Sequence, residues 1–138
     1  IKRSVDRGAR LICGGKRIYQ KGYYYEPTLL VDVDETMDVF KQETFGPVLC
    51  VIKSKNIEDA LRLANNSEYG LSSSVWTSSS DSVTYFTENI NSGAVFVNDM
   101  SKSDPRLPFG GINKSGYGRE LSDFGLREFV NVKTVYVK

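Results

Sequence analysis

The glycine-rich run from Leu107 to Glu120 is the first candidate for chemistry, because glycine loops can cradle phosphate groups. A P-loop that ends at Lys114-Ser115 would need glycine at two positions that carry asparagine and proline. A dinucleotide-binding loop that starts at Gly116 would need a third glycine where Leu121 stands. Residue types alone therefore favour a tightly packed structural loop over a phosphate site.

Glu43 is the second candidate, since it precedes the rigid sequence Phe45-Gly46-Pro47 at the expected mouth of a strand. A carboxylate held there could serve a functional site. By residue type alone, a solvated acid paired with Lys41 is the more common role.

Other reactive residue types are scarce. The chain has no histidine, which excludes Ser-His-Asp and Cys-His catalysis and histidine-ligated metals. Cys13 and Cys50 stand in apolar contexts that suit small buried residues in strands, and neither fits a metal ligand or an activated thiol. Both are expected to be free, although a disulfide stays open from sequence alone.

Composition limits the partners. A chain of 138 residues with 40% hydrophobic content suits one domain. Its 18 basic and 17 acidic residues give a net charge of +1 and are interspersed, so neither nucleic acid nor a membrane surface is an expected partner. No apolar run approaches the roughly 20 residues that span a bilayer, and the start lacks a signal-peptide pattern, so a cytoplasmic location is expected.

The elements that must position these residues follow from hydrophobic periodicity and turn signals. The first residues are typical of the end of a helix closed by Gly8, and with no initiator methionine the chain is expected to be trimmed or part of a larger protein. Helices are predicted from Asn56 and from about Ser80. The predicted strands are Ala9–Cys13, Glu26–Val31, Pro47–Lys53, Leu71–Thr77 and Ala94–Asn98. Pro27 places the second of these at an edge or marks its entry point, and the third is expected to be covered on both faces. A hairpin is predicted from Gly14 to Gly22 and a turn at Asp34–Asp38.

This order predicts an α/β fold with a mainly parallel sheet and flanking helices. The last residues, Phe129–Lys138, are valine-rich and predict a long terminal strand. Such a strand either pairs within its own domain or offers an open edge to a partner.

Taken together, the run Leu107–Glu120 and the sequence Gln42–Pro47 resemble the C-terminal part of the NAD(P)-dependent aldehyde dehydrogenases, over nearly the whole chain. The resemblance implies that residues 1–127 belong to the catalytic domain and residues 128–138 form an oligomerisation strand, so that the protein is a homo-oligomer. It implies NAD or NADP as cofactor and a small aldehyde as substrate.

The resemblance also implies roles for single residues. Glu43 would bind the ribose hydroxyls beside nicotinamide, since a carboxylate accepts two charge-assisted hydrogen bonds from a diol, and Phe45 would pack near the cofactor. The loop Pro108–Gly111, with Phe109, would shape the wall of the substrate tunnel. The sequence Ser115–Glu120 would be structural, its Arg and Glu tying the loop to the sheet.

The segment Asp99–Leu107 most resembles the succinate-semialdehyde dehydrogenase branch, in which a serine here helps to hold the substrate's distal carboxylate. By position that serine is Ser103, with Ser101 as the rival.

In this family the nucleophilic cysteine, the glutamate base and the cofactor-binding fold lie upstream of the matched region. Neither cysteine of this chain stands in the nucleophile's sequence context, so no catalytic residue and no metal ligand are assigned. The chain alone is predicted to be inactive. The alternatives are a truncated, non-catalytic assembly module of the same fold, and an unrelated α/β binding domain for which both motif matches would be accidental.

Overall fold

A computed structural model describes residues 1–19 and 21–138. The chain divides into two compact units, Ile1–Leu63 and Ala64–Lys138. The helices are α1 (Lys2–Asp6), α2 (Asp38–Lys41), α3 (Ile57–Asn65), α4 (Ser80–Asn89) and α5 (Ser122–Arg127). The strands are β1 (Arg10–Cys13), β2 (Arg17–Ile18), β3 (Tyr24–Tyr25), β4 (Thr28–Val31), β5 (Val48–Cys50), β6 (Ser73–Val75) and β7 (Val95–Val97).

The first unit contains a three-stranded sheet in the order β1-β4-β5. Strands β1 and β4 are antiparallel, whereas β4 and β5 are parallel. Strands β2 and β3 form the separate hairpin that the glycines after β1 predicted. Because β4 is central in its sheet, Pro27 marks the entry to that strand and not an edge.

The core of the first unit forms where α2 packs against this sheet. Leu30 of β4 is fully buried and contacts a cluster of nearly buried apolar residues, which are Ala9, Val33, Met37 and Val39. Fully burying a side chain of this kind stabilises a fold by about 1.5–3 kcal/mol. Helix α2 therefore owes its position to packing, since four residues are far too few for an independent helix.

Local signals produced the two longest helices as predicted. The Asn56 side chain accepts a hydrogen bond from the backbone N–H of Asp59 at 2.8 Å and caps α3. The Ser79 hydroxyl accepts from Ser82 N–H and caps α4. Helix α4 connects β6 to β7, which pair in parallel in the second unit.

The α/β class is confirmed. Among residues 1–19 and 21–138 the sheets are separate, with two strand pairs parallel and two antiparallel. The predicted strand Pro47–Lys53 is shorter, and the exposed side chain of Leu49 shows that one of its faces is not covered. Cys13 is also exposed, contrary to the expectation of burial, because its strand, β1, is an edge strand of the three-stranded sheet.

Residues 131–138 form neither helix nor strand, and their valines are exposed. A strand exists only when a neighbour completes its backbone hydrogen bonds. No strand among the described residues pairs with this segment, so pairing within its own domain does not occur in this chain.

Candidate functional site

Glu43 and Phe45 lie on the turn that joins α2 to β5. The Gly46 N–H donates to the carbonyl of Thr44 at 2.9 Å, and the Val48 N–H donates to the carbonyl of Gly46 at 2.8 Å. These two consecutive tight turns leave the Phe45 side chain 96% exposed. Glu43 and Phe45 therefore lie on an exposed, hydrogen-bonded turn that leads into β5.

The carboxylate of Glu43 is exposed and makes no hydrogen bond or ion pair with any described residue. The pairing with Lys41, which residue types alone favoured, is therefore not formed. A carboxylate without an internal partner keeps its acceptor positions for a ligand.

An open groove of about 690 Å³ adjoins this turn. Its wall is aromatic on both sides, with Tyr23, Tyr24 and Tyr25 of the hairpin facing the turn that carries Phe45. The groove residues are Ile1, Lys2, Tyr23, Tyr24, Tyr25, Thr44, Phe45, Gly46, Pro47 and Val48. The aromatic side chains of the groove suit a ligand with a planar ring, and Glu43 directly precedes the lining residue Thr44 in the sequence.

Helix α2 ends two residues before Glu43 and is anchored from α1. The hydroxyl oxygen of Ser4 accepts a hydrogen bond from Val39 N–H, and the guanidinium of Arg3 pairs with Asp38. The hydrogen bond from Arg3 lowers the pKa of the Asp38 carboxyl. Sequence reasoning missed these anchors, because no local pattern connects residues so far apart.

The second unit contains the two candidate serines, in the segment that follows β7. The Asn98 side chain fixes its start by accepting from Thr77 N–H and donating to Thr77 carbonyl, both at 2.9 Å. The Ser101 hydroxyl accepts from the Ser72 hydroxyl at 2.8 Å. Ser103 is exposed, and its hydroxyl has no partner among the described residues. The Ser103 hydroxyl is therefore free of protein partners, whereas the Ser101 oxygen is shared with Ser72 and its own proton is still available to a ligand.

The glycine-rich loop forms a packed structure, as the spacing of its glycines predicted. Phe109 and Glu120 form an antiparallel bridge with two backbone hydrogen bonds of 2.8 Å. The Arg119 guanidinium donates to the carbonyl of Gly111 at 2.9 Å. The Arg119 side chain thus stabilises the loop by a hydrogen bond within it, whereas Glu120 stabilises it through its backbone bonds to Phe109.

The connection to the β6–β7 pair comes from other residues. The Gly70 N–H donates to the Ser115 hydroxyl, and the Ile112 N–H donates to the Gly70 carbonyl, each at 3.0 Å. This corrects the expectation that Arg119 and Glu120 make the link. Half-buried Phe109 lines an open groove of about 750 Å³ together with residues of α5.

The two groups of predicted site residues lie in different units. Glu43 and Phe45 belong to the first, whereas Ser101, Ser103 and Phe109 belong to the second. Within the described residues, no group of three or more potential ligands could hold a metal ion, and no helix is long and apolar enough to cross a bilayer. Burial raises the pKa of the Cys50 thiol, which keeps it protonated.

The sequence of the chain is similar to known proteins over almost its whole length. The family model described as "Aldehyde dehydrogenase family" matches residues 1–135. The chain is 48% identical to a succinate-semialdehyde dehydrogenase [NADP(+)] of Mycobacterium leprae, covering 99% of this chain and 31% of that protein. It is 45% identical to an aldehyde dehydrogenase of Paenarthrobacter nicotinovorans, covering 99% of this chain and 30% of that protein.

The fold comparison agrees. The succinic semialdehyde dehydrogenase of Streptococcus pyogenes, solved in complex with NADP+, superposes with a TM-score of 0.90 at 38% identity. The match covers 99% of this chain and 30% of that chain. The present chain thus spans about three-tenths of the length of the proteins that it matches.

Proposed function

Because this chain belongs to the aldehyde dehydrogenase family, we propose that it is the C-terminal part of an enzyme that oxidises succinate semialdehyde to its acid with NADP or NAD. The substrate, and NADP as one of the two possible cofactors, are supported by the names of the relatives from Mycobacterium leprae and Streptococcus pyogenes. The feature of the structure that supports this most directly is the unpaired carboxylate of Glu43 beside exposed Phe45.

These two residues fit a dinucleotide. A ribose presents two neighbouring hydroxyl donors, and a carboxylate without an internal partner can accept both. The ring of Phe45 offers an apolar face for the nicotinamide end. When bound, NAD(P) supplies the hydride acceptor. The role of Glu43 is to orient the ribose, and hydride transfer depends strongly on such orientation.

The second unit would supply the substrate wall. Ser103 would donate its hydroxyl to the distal carboxylate of succinate semialdehyde, with Ser101 as the alternative, and Phe109 would line the tunnel. A hydrogen bond to a charged group contributes about 1.5–3 kcal/mol, which is enough to select for a terminal carboxylate.

No residue of this chain is assigned to the nucleophile or the base, so the chain alone should not catalyse the reaction. The cytoplasmic location and a homo-oligomer formed through residues 128–138 are part of the same proposal. The alternative is a truncated, non-catalytic assembly protein of the same fold.

The intact mass of the natural protein, followed by an assay, tests the proposal. A mass several times the 15.5 kDa of this chain and reduction of NADP or NAD by succinate semialdehyde are expected. The chain alone should produce no reduced cofactor. A natural mass of 15.5 kDa without turnover would favour the assembly protein, and turnover by the chain after replacement of both Cys13 and Cys50 would contradict the assignment.

A further inference from the structure

The turn Asp104–Leu107, which directly follows Ser103, is fixed by its backbone. The Leu107 N–H donates to the Asp104 carbonyl at 3.0 Å, and Pro105 occupies the second position, where its fixed φ favours this turn. The Pro105 carbonyl also accepts from Ser122 N–H at 3.0 Å, which attaches the turn to the start of α5. The backbone next to Ser103 therefore has a defined direction.

Arg106 and Asp104 close this turn with their side chains. The Asp104 carboxylate accepts from the Arg106 backbone N–H and from Nε, both at 2.9 Å, and from a terminal guanidinium nitrogen at 2.6 Å. Such a bidentate ion pair fixes the relative orientation of the two side chains as well as balancing their charges. The hydrogen bonds from Arg106 hold the pKa of the Asp104 carboxyl well below its usual range, so it stays ionised.

The charges around Ser103 are balanced in pairs. Lys102 pairs with Asp99 on one side of the serine, and Arg106 pairs with Asp104 on the other. Without Arg106, the residue that directly follows Ser103 would carry an unpaired negative charge next to the position that is to receive an anion. Repulsion between two such charges is appreciable at separations of several ångströms.

We propose that Arg106 is a specificity-determining positioning residue, which fixes the turn behind Ser103 and cancels the charge of Asp104 so that the site accepts an aldehyde with a terminal carboxylate. This inference rests on the proposed function. Arg106 acts through Asp104 and needs no contact with the reacting atoms.

The test uses the full-length enzyme and compares kcat/KM for succinate semialdehyde with kcat/KM for butanal, an uncharged aldehyde of the same carbon count. Arg106→Gln should lower this ratio about tenfold at low salt, and less at high salt. Asp104→Asn should raise this ratio about threefold. The amide oxygen of asparagine can still accept from the Arg106 backbone N–H, but it no longer neutralises the guanidinium, whose positive charge then attracts the terminal carboxylate of the substrate. The double variant should return the ratio to near the wild-type value.

A matched control is Asp123→Asn, which breaks an exposed pair with Arg127 at 3.8 Å in the same unit and should leave the ratio unchanged. A lower ratio in Asp104→Asn, or equal losses for both aldehydes in Arg106→Gln, would show a purely structural role and overturn the inference. If Arg106→Gln does not fold, the change of the kcat/KM ratio in Asp104→Asn tests the inference alone: a higher ratio supports it and a lower ratio overturns it. A wild-type enzyme with no preference for succinate semialdehyde overturns the proposed substrate as well, whereas an intact preference that these variants do not alter overturns this inference alone.

Discussion

The hydroxyl oxygen of Ser4 and the backbone N–H of Val39 form a hydrogen bond of 3.3 Å, although the residues lie 35 positions apart. Ser4 is fully buried, and α2 has no side-chain cap of its own. A residue of α1 therefore supplies a hydrogen-bond acceptor for the first turn of α2, the helix that leads to Glu43.

Ser4→Ala should lower the free energy of unfolding by about 1–2 kcal/mol, because it leaves a buried N–H without an acceptor. Urea unfolding of the full-length enzyme measures the change. Ser78→Ala, at an exposed loop position, is the control and should leave the midpoint unaltered. Equal midpoints for all three proteins would mean that solvent or a rearranged backbone satisfies Val39.

Glu43→Gln should leave folding intact and reduce turnover in the full-length enzyme. The amide removes the anionic acceptor for the ribose hydroxyls, and hydride transfer tolerates little misplacement. Steady-state kinetics with both cofactor and aldehyde varied, together with a thermal melt, checks this. Glu58→Gln, an exposed acid in the first turn of α3, is the matched control. Unchanged constants in Glu43→Gln would make Glu43 a plain surface acid.

Ser103→Ala should weaken catalysis with succinate semialdehyde by about 1.5–3 kcal/mol in kcat/KM and leave an uncharged aldehyde of similar length nearly unaffected. Ser101→Ala tests the rival serine, because the Ser101 hydroxyl accepts from Ser72 and still has its own proton to donate; a loss larger than that of Ser103→Ala would assign the role to Ser101. Competition between the two aldehydes in one assay measures the difference directly. Equal losses for both aldehydes would mean that Ser103 only shapes the loop.

Acid should remove a stabilising contribution from Asp59. Its carboxylate accepts from the backbone N–H of Lys55 at 3.0 Å and from the guanidinium of Arg62 at 2.8 Å, and these bonds lower its pKa below the ordinary 3.8. A pKa that is lower in the folded state stabilises the fold above the unfolded value and loses this effect as pH falls through the folded value. The difference in urea midpoint between wild type and Asp59→Asn should therefore be present at pH 6 and shrink below about pH 3.8. A difference that stays constant down to pH 2 would contradict this.

Deletion of the residues from Val130 onward should reduce the oligomer mass of the full-length enzyme. The exposed valines of this segment have no strand partner in the described chain, and a second subunit's sheet could supply one. Light scattering compares the deletion with a variant that lacks Lys138 alone. An unchanged mass after the longer deletion would place the subunit contact elsewhere.

The sequence predicted the elements whose signals are local. The apolar spacing and the Asn56 cap predicted α3, and β6-α4-β7 followed from two short apolar runs around a helix from about Ser80. Helix α2 was not predicted, because its support from Ser4 is distant in sequence. At the site, the motif containing Glu43 indicated an exposed turn. The charge pairing of Asp104 was missed, although an Asp-Pro dipeptide is typical of a turn.

Gly93, which contacts the glycine-rich loop, and Gly46 differ in which substitutions they should tolerate. At Gly93 even alanine should fail, because a Cβ there would overlap the carbonyl oxygen of Gly110. At Gly46 the surrounding space is open, and φ lies outside the left-handed region. No described residue of this chain requires glycine at Gly46, so a loss of function on substitution there would indicate that another molecule or another part of the protein approaches this backbone closely.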